Sequence, residues 1–193
     1  IINDLIKDKN INKDKNIAKD IKLLKSQAER CKEILQKLSK NPLKLKDKFL
    51  DRVKFTDLIK INFDKFNTDK HLDIIQSSIT EEPEIIFKDE LMYALGNIIQ
   101  NAVLYAKKIV TVELQYLEKF ILIKLSDDGP GFSKDIIDKL GEPYISKNNK
   151  GMGLGIFIAK NLIENMGGEI SFFNSLDNSA VVEIRLKNSI LKI

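Results

Sequence analysis

The stretch from Asp89 to Ala106 constrains the fold more than any other. Its centre, LMYALGNIIQNAVLYA, is almost wholly apolar, and a helix of that composition has to be buried. Leu91, Leu95, Ile98 and Ala102 form its core face. Asn97 and Asn101 are the exceptions: four residues apart, they sit one turn above another, with Tyr105 a further turn on. Asn is a poor helix former, so two on one face call for a reason. Their amide oxygens are hard ligands suited to Mg²⁺, which completes its shell with phosphates and water. The alternative is that both amides bond to backbone nearby.

Strand patterns surround this helix. Residues 72–79 and 85–87 read as strands, after a short helix from Thr56 to Phe66 capped by Thr56. Residues 109–117 and 120–126 are β-rich and pair across a turn at Glu118-Lys119. A helix from about Gly153 to Met166 follows, then strands at 169–174 and 180–187 joined by the polar turn Ser175–Ser179. The predicted class is α+β, with strands and helices in two layers. Composition agrees: 43% of the 193 residues are hydrophobic, which excludes wholesale disorder. One His and one Cys exclude a structural zinc site and an internal disulfide. No run approaches the length of apolar sequence that crosses a bilayer.

The first 50 residues differ in character. They carry 14 Lys/Arg against 7 Asp/Glu, whereas the rest of the chain is mildly acidic. The lysines mix with acids, and no aromatic precedes Phe49, so the reading is a solvated helix face rather than a nucleic-acid surface. Ile17, Ile21, Leu24, Ala28, Cys31, Leu35 and Leu38 are spaced alternately four and three apart, the seam of a coiled coil or helical bundle. About 24 helical residues would span roughly 36 Å, and Asn41-Pro42 stops the run. A helix with one apolar stripe needs partners, most simply an antiparallel helix before it and a second copy of itself. The predicted division is therefore 1–47, a helical segment with its second helix at about 16–40 plus a linker, and 48–193, the α+β domain. Ile1 in place of Met suggests an excerpt of a longer protein.

Two glycine-rich segments carry chemistry. Ser126-Asp127-Asp128-Gly129-Pro130-Gly131-Phe132 directly follows a strand. A carboxylate there can accept a hydrogen bond from an exocyclic amine while glycine backbone lies close to a base; an ordinary turn has the same composition. Gly151-Met152-Gly153-Leu154-Gly155 opens a helix, where closely spaced glycines free N–H groups to bind phosphate. It lacks the last Gly of the dinucleotide fingerprint, since residue 156 is Ile, and no Gly-Lys-Ser/Thr ending occurs anywhere. Between the two lies LGEPYISKNNK, residues 140–150, with Lys147 and Lys150. It suits either a mobile lid over a triphosphate or a surface loop.

The order of these pieces resembles the GHKL (Bergerat) ATP-binding domain: an N-x-x-x-N-A helix, D-x-G-x-G, a lid, then G-x-G-L-G. The closing Asn165-Met166-Gly167-Gly168-Glu169-Ile170 and its two strands are similar to the end of that domain in sensor histidine kinases. The resemblance covers about residues 50–187 and implies a two-layer α/β sandwich binding ATP and Mg²⁺. By it, Asn101 would hold Mg²⁺, with Asn97 and Tyr105 lining the phosphates. Asp127 would hold the adenine amino group, with Gly129 and Gly131 beside the base. Tyr144, Lys147 and Lys150 of the lid, then Gly151, Gly153, Leu154 and Gly155, would close over the triphosphate. Asp128 stands where Asn is common, and the turn Asn178-Ser179-Ala180 lacks the usual G-x-G-T.

One position separates branches of that superfamily. Gyrase-, Hsp90- and MutL-like members carry a glutamate general base four residues before the metal Asn. Here that place is Asn97, which cannot take a proton at neutral pH, so the resemblance implies phosphoryl transfer to a histidine. Gln27-Ala28-Glu29-Arg30-Cys31-Lys32-Glu33-Ile34-Leu35 resembles the signature of the redox-responsive RegB/PrrB kinases, in which the cysteine forms an intersubunit disulfide. That implies a bacterial inner-membrane sensor kinase, of which this is a cytoplasmic portion. It would dimerise through the helical hairpin, pass phosphate to a response regulator receiver domain, and be switched through Cys31. The phosphoacceptor histidine, with its Glu and Pro context, is missing; His71 lacks that context. The alternatives are a noncatalytic dimerising adapter and a GHKL ATPase.

Overall fold

The computed structural model describes residues 52–66, 68–77, 82–145 and 153–191. Cys31 and the heptad-like seam, the 1–47 segment, and Lys147, Lys150 and Gly151 lie outside the described residues. Among the described residues, no helix is long and apolar enough to cross a membrane.

The elements are β1 (Arg52–Val53), α1 (Phe55–Asp64), β2 (His71–Gln76), β3 (Ile85–Ile86), α2 (Asp89–Tyr105), β4 (Ile109–Tyr116), β5 (Phe120–Asp127), α3 (Gly155–Asn165), β6 (Glu169–Asn174), β7 (Ala180–Lys187) and α4 (Asn188–Leu191). Five strands form one sheet in the order β2-β4-β5-β7-β6. β2 runs parallel to β4 and the other pairs are antiparallel. A second sheet pairs β1 with β3.

Period-2 alternation decides which face of the large sheet is buried. Val110, Val112 and Leu114 of β4, Ile121, Ile123 and Leu125 of β5, and Val182, Ile184 and Leu186 of β7 are all buried in one core. Leu91, Leu95, Ile98 and Ala102 of α2 join them, as the sequence pattern predicts. Covering that face with helices leaves polar residues such as Glu113, Lys124 and Arg185 on the other side, the layered arrangement expected for this class. α1 crosses α2 at Gly96, where an added Cβ would stand 3.0 Å from the Asn62 amide oxygen. Asn62 is itself buried, and its Nδ2 donates to the Leu58 carbonyl at 3.0 Å.

Four local expectations need correction. Thr56 is not a helix cap: Lys54 holds that position without a side-chain bond. Thr56 instead donates from its N–H and its hydroxyl to the Glu82 carboxylate, both at 2.9 Å. Gln76 and Tyr116 donate to the same carboxylate, fastening the start of α1 to β2 and β4. Burial pushes the Glu82 carboxyl upward, but these four bonds outweigh it and hold it below its ordinary value. The strand expected at 72–79 runs from His71 to Gln76, with 78 and 79 outside the described residues, and the one expected at 85–87 ends at Ile86. Gly153 is not helical: its φ of +66° is left-handed, so α3 begins two residues later.

Candidate functional site

β5 ends on Asp127, which the strand's alternation turns toward the helical layer. The residue is 5% exposed, and its Oδ1 accepts the Gly129 N–H at 2.9 Å. Burial raises the Asp127 carboxyl to about 6; the Gly129 bond pulls it down, and the neighbouring Asp128 charge pushes it up again. A buried carboxylate with lone pairs to spare is an acceptor waiting for a donor.

Gly129 closes the gap between β5 and α2. A Cβ there would strike both the Asp127 carboxylate and the Tyr105 carbonyl, so only glycine lets these backbones approach so closely. The last turn of α2 and the strand end that carries Asp127 thus form one continuous wall.

Further up α2, Asn97 and Asn101 behave differently. Asn97 donates to the Tyr93 carbonyl at 2.9 Å, the helix-internal bond open to it from sequence. Its Oδ1 is directed at α3, 3.3 Å from where a Cβ on Gly155 would stand. Asn101 is half-buried and, among the described residues, its amide has no hydrogen-bond partner. An uncommitted amide oxygen fits a hard divalent cation, because no internal bond has to break for it to coordinate. Among the described residues no three His, Cys, Asp or Glu side chains converge as a metal cluster.

The structure thus brings together Asn97 with Gly155, and Tyr105 with Asp127 and Gly129. Gly153 packs against the Ile145 carbonyl, so the two ends of the segment between them meet. Leu154 is the residue before α3 and is half-buried. Tyr144 is 72% exposed, with a left-handed φ of 66°.

Sequence reasoning missed two residues that hold the Gly129–Phe132 loop. Asn174, at the end of β6, accepts the Phe132 N–H and donates to the Phe132 carbonyl, both at 2.8 Å. Asn178 donates to the Pro130 carbonyl at 3.1 Å from a left-handed φ of 64°, a conformation Asn tolerates better than most residues. The polar turn was visible in the sequence, but a partner 42 or 48 residues away leaves no local signal. Asn174→Ala removes two bonds and is expected to cost about 1–2 kcal/mol in urea unfolding.

Residues 87–190 match the family described as histidine kinase-, DNA gyrase B-, and HSP90-like ATPase. The sensor histidine kinase RegB of Cereibacter sphaeroides is 30% identical over 176 residues, 80% of this chain and 37% of that protein. Sporulation kinase B of Bacillus subtilis is 33% identical over 55% of this chain and 26% of its own length. The chain thus spans well under half the length of these relatives. Among solved structures, the mycobacterial sensor histidine kinase MprB superposes with a TM-score of 0.60 at 19% identity, covering 71% of this chain and 97% of that one. The catalytic domain of histidine kinase ThkA gives 0.59 at 19% identity, over 71% and 94%. At that identity the likeness is one of fold.

Proposed function

Because this chain belongs to the histidine kinase-, DNA gyrase B- and HSP90-like ATPase family, we propose that residues 48–193 are the ATP-binding catalytic portion of a sensor histidine kinase. The observation that carries this reading is the buried Asp127 carboxylate, held against the last turn of the asparagine-bearing helix through Gly129. In it, Asp127 accepts the adenine amino group while the Gly129–Gly131 backbone lies along the base. Asn101 offers its amide oxygen to Mg²⁺, and Asn97 and Tyr105 line the phosphate path. Gly153, Leu154 and Gly155 supply backbone N–H groups at the start of α3, where the helix dipole favours anions, and Gly151 belongs to the same glycine-rich motif. Tyr144, Lys147 and Lys150 belong to the lid. When bound, Mg²⁺ offsets phosphate charge as the γ-phosphoryl leaves.

The nucleophile is a histidine nitrogen outside residues 48–193, and the phosphoryl group then passes to the receiver domain of a response regulator. Asn97 supports this over hydrolysis: an amide takes no proton from water, and this one is already bonded to the Tyr93 carbonyl. His71 is a poor candidate, an exposed strand residue 3.0 Å from Asp73. Calorimetric titration tests the reading directly. MgATP is expected to bind saturably with little hydrolysis. A protein that dimerises without measurable ATP affinity would be an adapter instead, and rapid turnover in water would make it an ATPase.

The whole protein is proposed to be a bacterial inner-membrane kinase whose cytoplasmic part dimerises through the helical hairpin that includes residues 16–40. RegB-like redox control would act through Cys31, where Arg30 and Lys32 favour the thiolate. Oxidant is expected to give a covalent dimer on a non-reducing gel of the hairpin-containing protein, and Cys31→Ser to remove it. A band that persists in the variant, or none in the parent, contradicts the switch.

A further inference from the structure

Asp128 lies beside the proposed base-binding carboxylate, but its side chain turns to a different task. Its Oδ1 accepts the backbone N–H groups of Lys107, Lys108 and Ile109 at 2.7, 3.0 and 3.2 Å, and its Oδ2 accepts Lys108 at 3.0 Å. Its own N–H donates back to the Ile109 carbonyl at 3.2 Å. Three successive N–H groups converging on one carboxylate form an anion-binding nest, here filled by a side chain of the same protein. Burial nudges the Asp128 carboxyl upward, but these backbone bonds dominate and hold it below its ordinary value.

The nest sits at a joint. Lys107 and Lys108 are the entire connection between the Ala106 that ends α2 and the first residue of β4. Asn101 lies on the helix side of that joint, Asp127 on the strand side. In the reading above, one nucleotide must reach from Asp127 to a cation on Asn101, so the spacing of α2 and β5 sets whether base and phosphates are engaged together. The tolerance is small, because Gly129 is already wedged between the Tyr105 carbonyl and the Asp127 carboxylate.

We propose that Asp128 is a positioning residue: by gripping the α2–β4 connection it fixes the separation between the base end and the phosphate end of the nucleotide site. The inference rests on the nucleotide reading and goes beyond it, assigning a role to a residue that touches no ligand. A wall held in place before binding lowers the ordering cost of binding. The joint therefore matters to a ligand that spans both ends and not to one that occupies the phosphate end alone. Asn at this position keeps an acceptor oxygen for the nest, whereas Ala keeps none.

The test measures binding of MgATP and of magnesium tripolyphosphate, which has no base, at pH 7.5, where Asp127 is ionised in every variant. Asp128→Ala is expected to weaken MgATP by about tenfold and tripolyphosphate by less than about twofold, while Asp128→Asn stays within about threefold of the parent for both. Amide exchange at Lys107, Lys108 and Ile109 should quicken in the alanine variant only. Unchanged MgATP binding in Asp128→Ala, equal losses for both ligands, or an asparagine variant as weak as alanine would each overturn the proposal. If Asp128→Ala does not fold, Asp128→Ser decides: its single hydroxyl should give an intermediate MgATP loss, and parental affinity would contradict the joint. A parent that binds tripolyphosphate but not MgATP would instead overturn the nucleotide reading, and this inference with it.

Discussion

Asp127→Asn is expected to yield a folded protein that is more stable than the parent at neutral pH and binds ATP at least about thirtyfold more weakly. Both effects follow from one buried carboxylate. Burial raises its carboxyl to about 6 from an ordinary 3.8, so keeping it charged at pH 7 costs native stability. After discounting for solvent screening, that cost is on the order of 1–2 kcal/mol, a rise of a few degrees in Tm for a domain of this size. The sign with pH is definite. Between pH 3.8 and about 6 the native state keeps a proton that the unfolded chain has lost, so this group's contribution to stability falls as pH rises through that window. The Tm difference between variant and parent should therefore shrink as pH is lowered toward 4. Binding runs the other way. The adenine amino group needs an acceptor; with the asparagine Oδ1 kept on the Gly129 N–H, its Nδ2 would face that amino group N–H to N–H, a loss of about 2–4 kcal/mol or at least about thirtyfold in affinity. The parent's ATP affinity should likewise fall as pH drops below about 6. Unaltered affinity in the variant, with or without the gain in Tm, would remove Asp127 from the site.

Asn101→Ala is expected to abolish the Mg²⁺-dependent part of ATP binding while leaving the fold intact. Among the described residues its amide holds nothing, so no internal bond is lost. Alanine is also the better helix former, worth up to about 0.7 kcal/mol at this position. The Tm should hold or rise slightly while the gain in ATP affinity that Mg²⁺ gives the parent is lost, because the cation no longer has its side-chain oxygen. Chelation separates this from a general packing defect. EDTA should weaken ATP binding in the parent to the level of the variant, and should do nothing further to the variant. A variant that still responds to EDTA as the parent does would place the cation elsewhere.

Most of the fold was legible because its main elements carry strong periodic signals. The apolar helix 89–105 reads unambiguously, and the alternation at 109–116 and 120–127 gives both strands, with their turn at Glu118-Lys119. β6, β7 and the turn between them appear within a residue of expectation. What escaped was set by tertiary contact. The two-residue β1 is too short to show a period, and exists because it pairs with β3. Thr56 carries the composition of a cap, but Glu82, 26 residues away, draws its hydroxyl elsewhere. The site divides along the same line. Asn97, Asn101, Asp127 and the glycines stand in local motifs whose spacing is visible in one dimension. Asp128, Asn174 and Asn178, which hold those motifs in place, bond to partners 19 to 48 residues away. Asp128 and Asn178 stand out in the sequence only as departures from the motif, and nothing in the neighbours of Asn174 points to the loop that it holds.

The most direct measurement is a crystal structure of residues 48–193 grown with a nonhydrolysable ATP analogue and Mg²⁺. It should place the adenine amino group within hydrogen-bond distance of the Asp127 carboxylate, a cation on the Asn101 amide oxygen, and phosphate oxygens at the N-terminus of α3. A purine seated elsewhere, or no analogue bound at saturating concentration, would contradict the account at its centre.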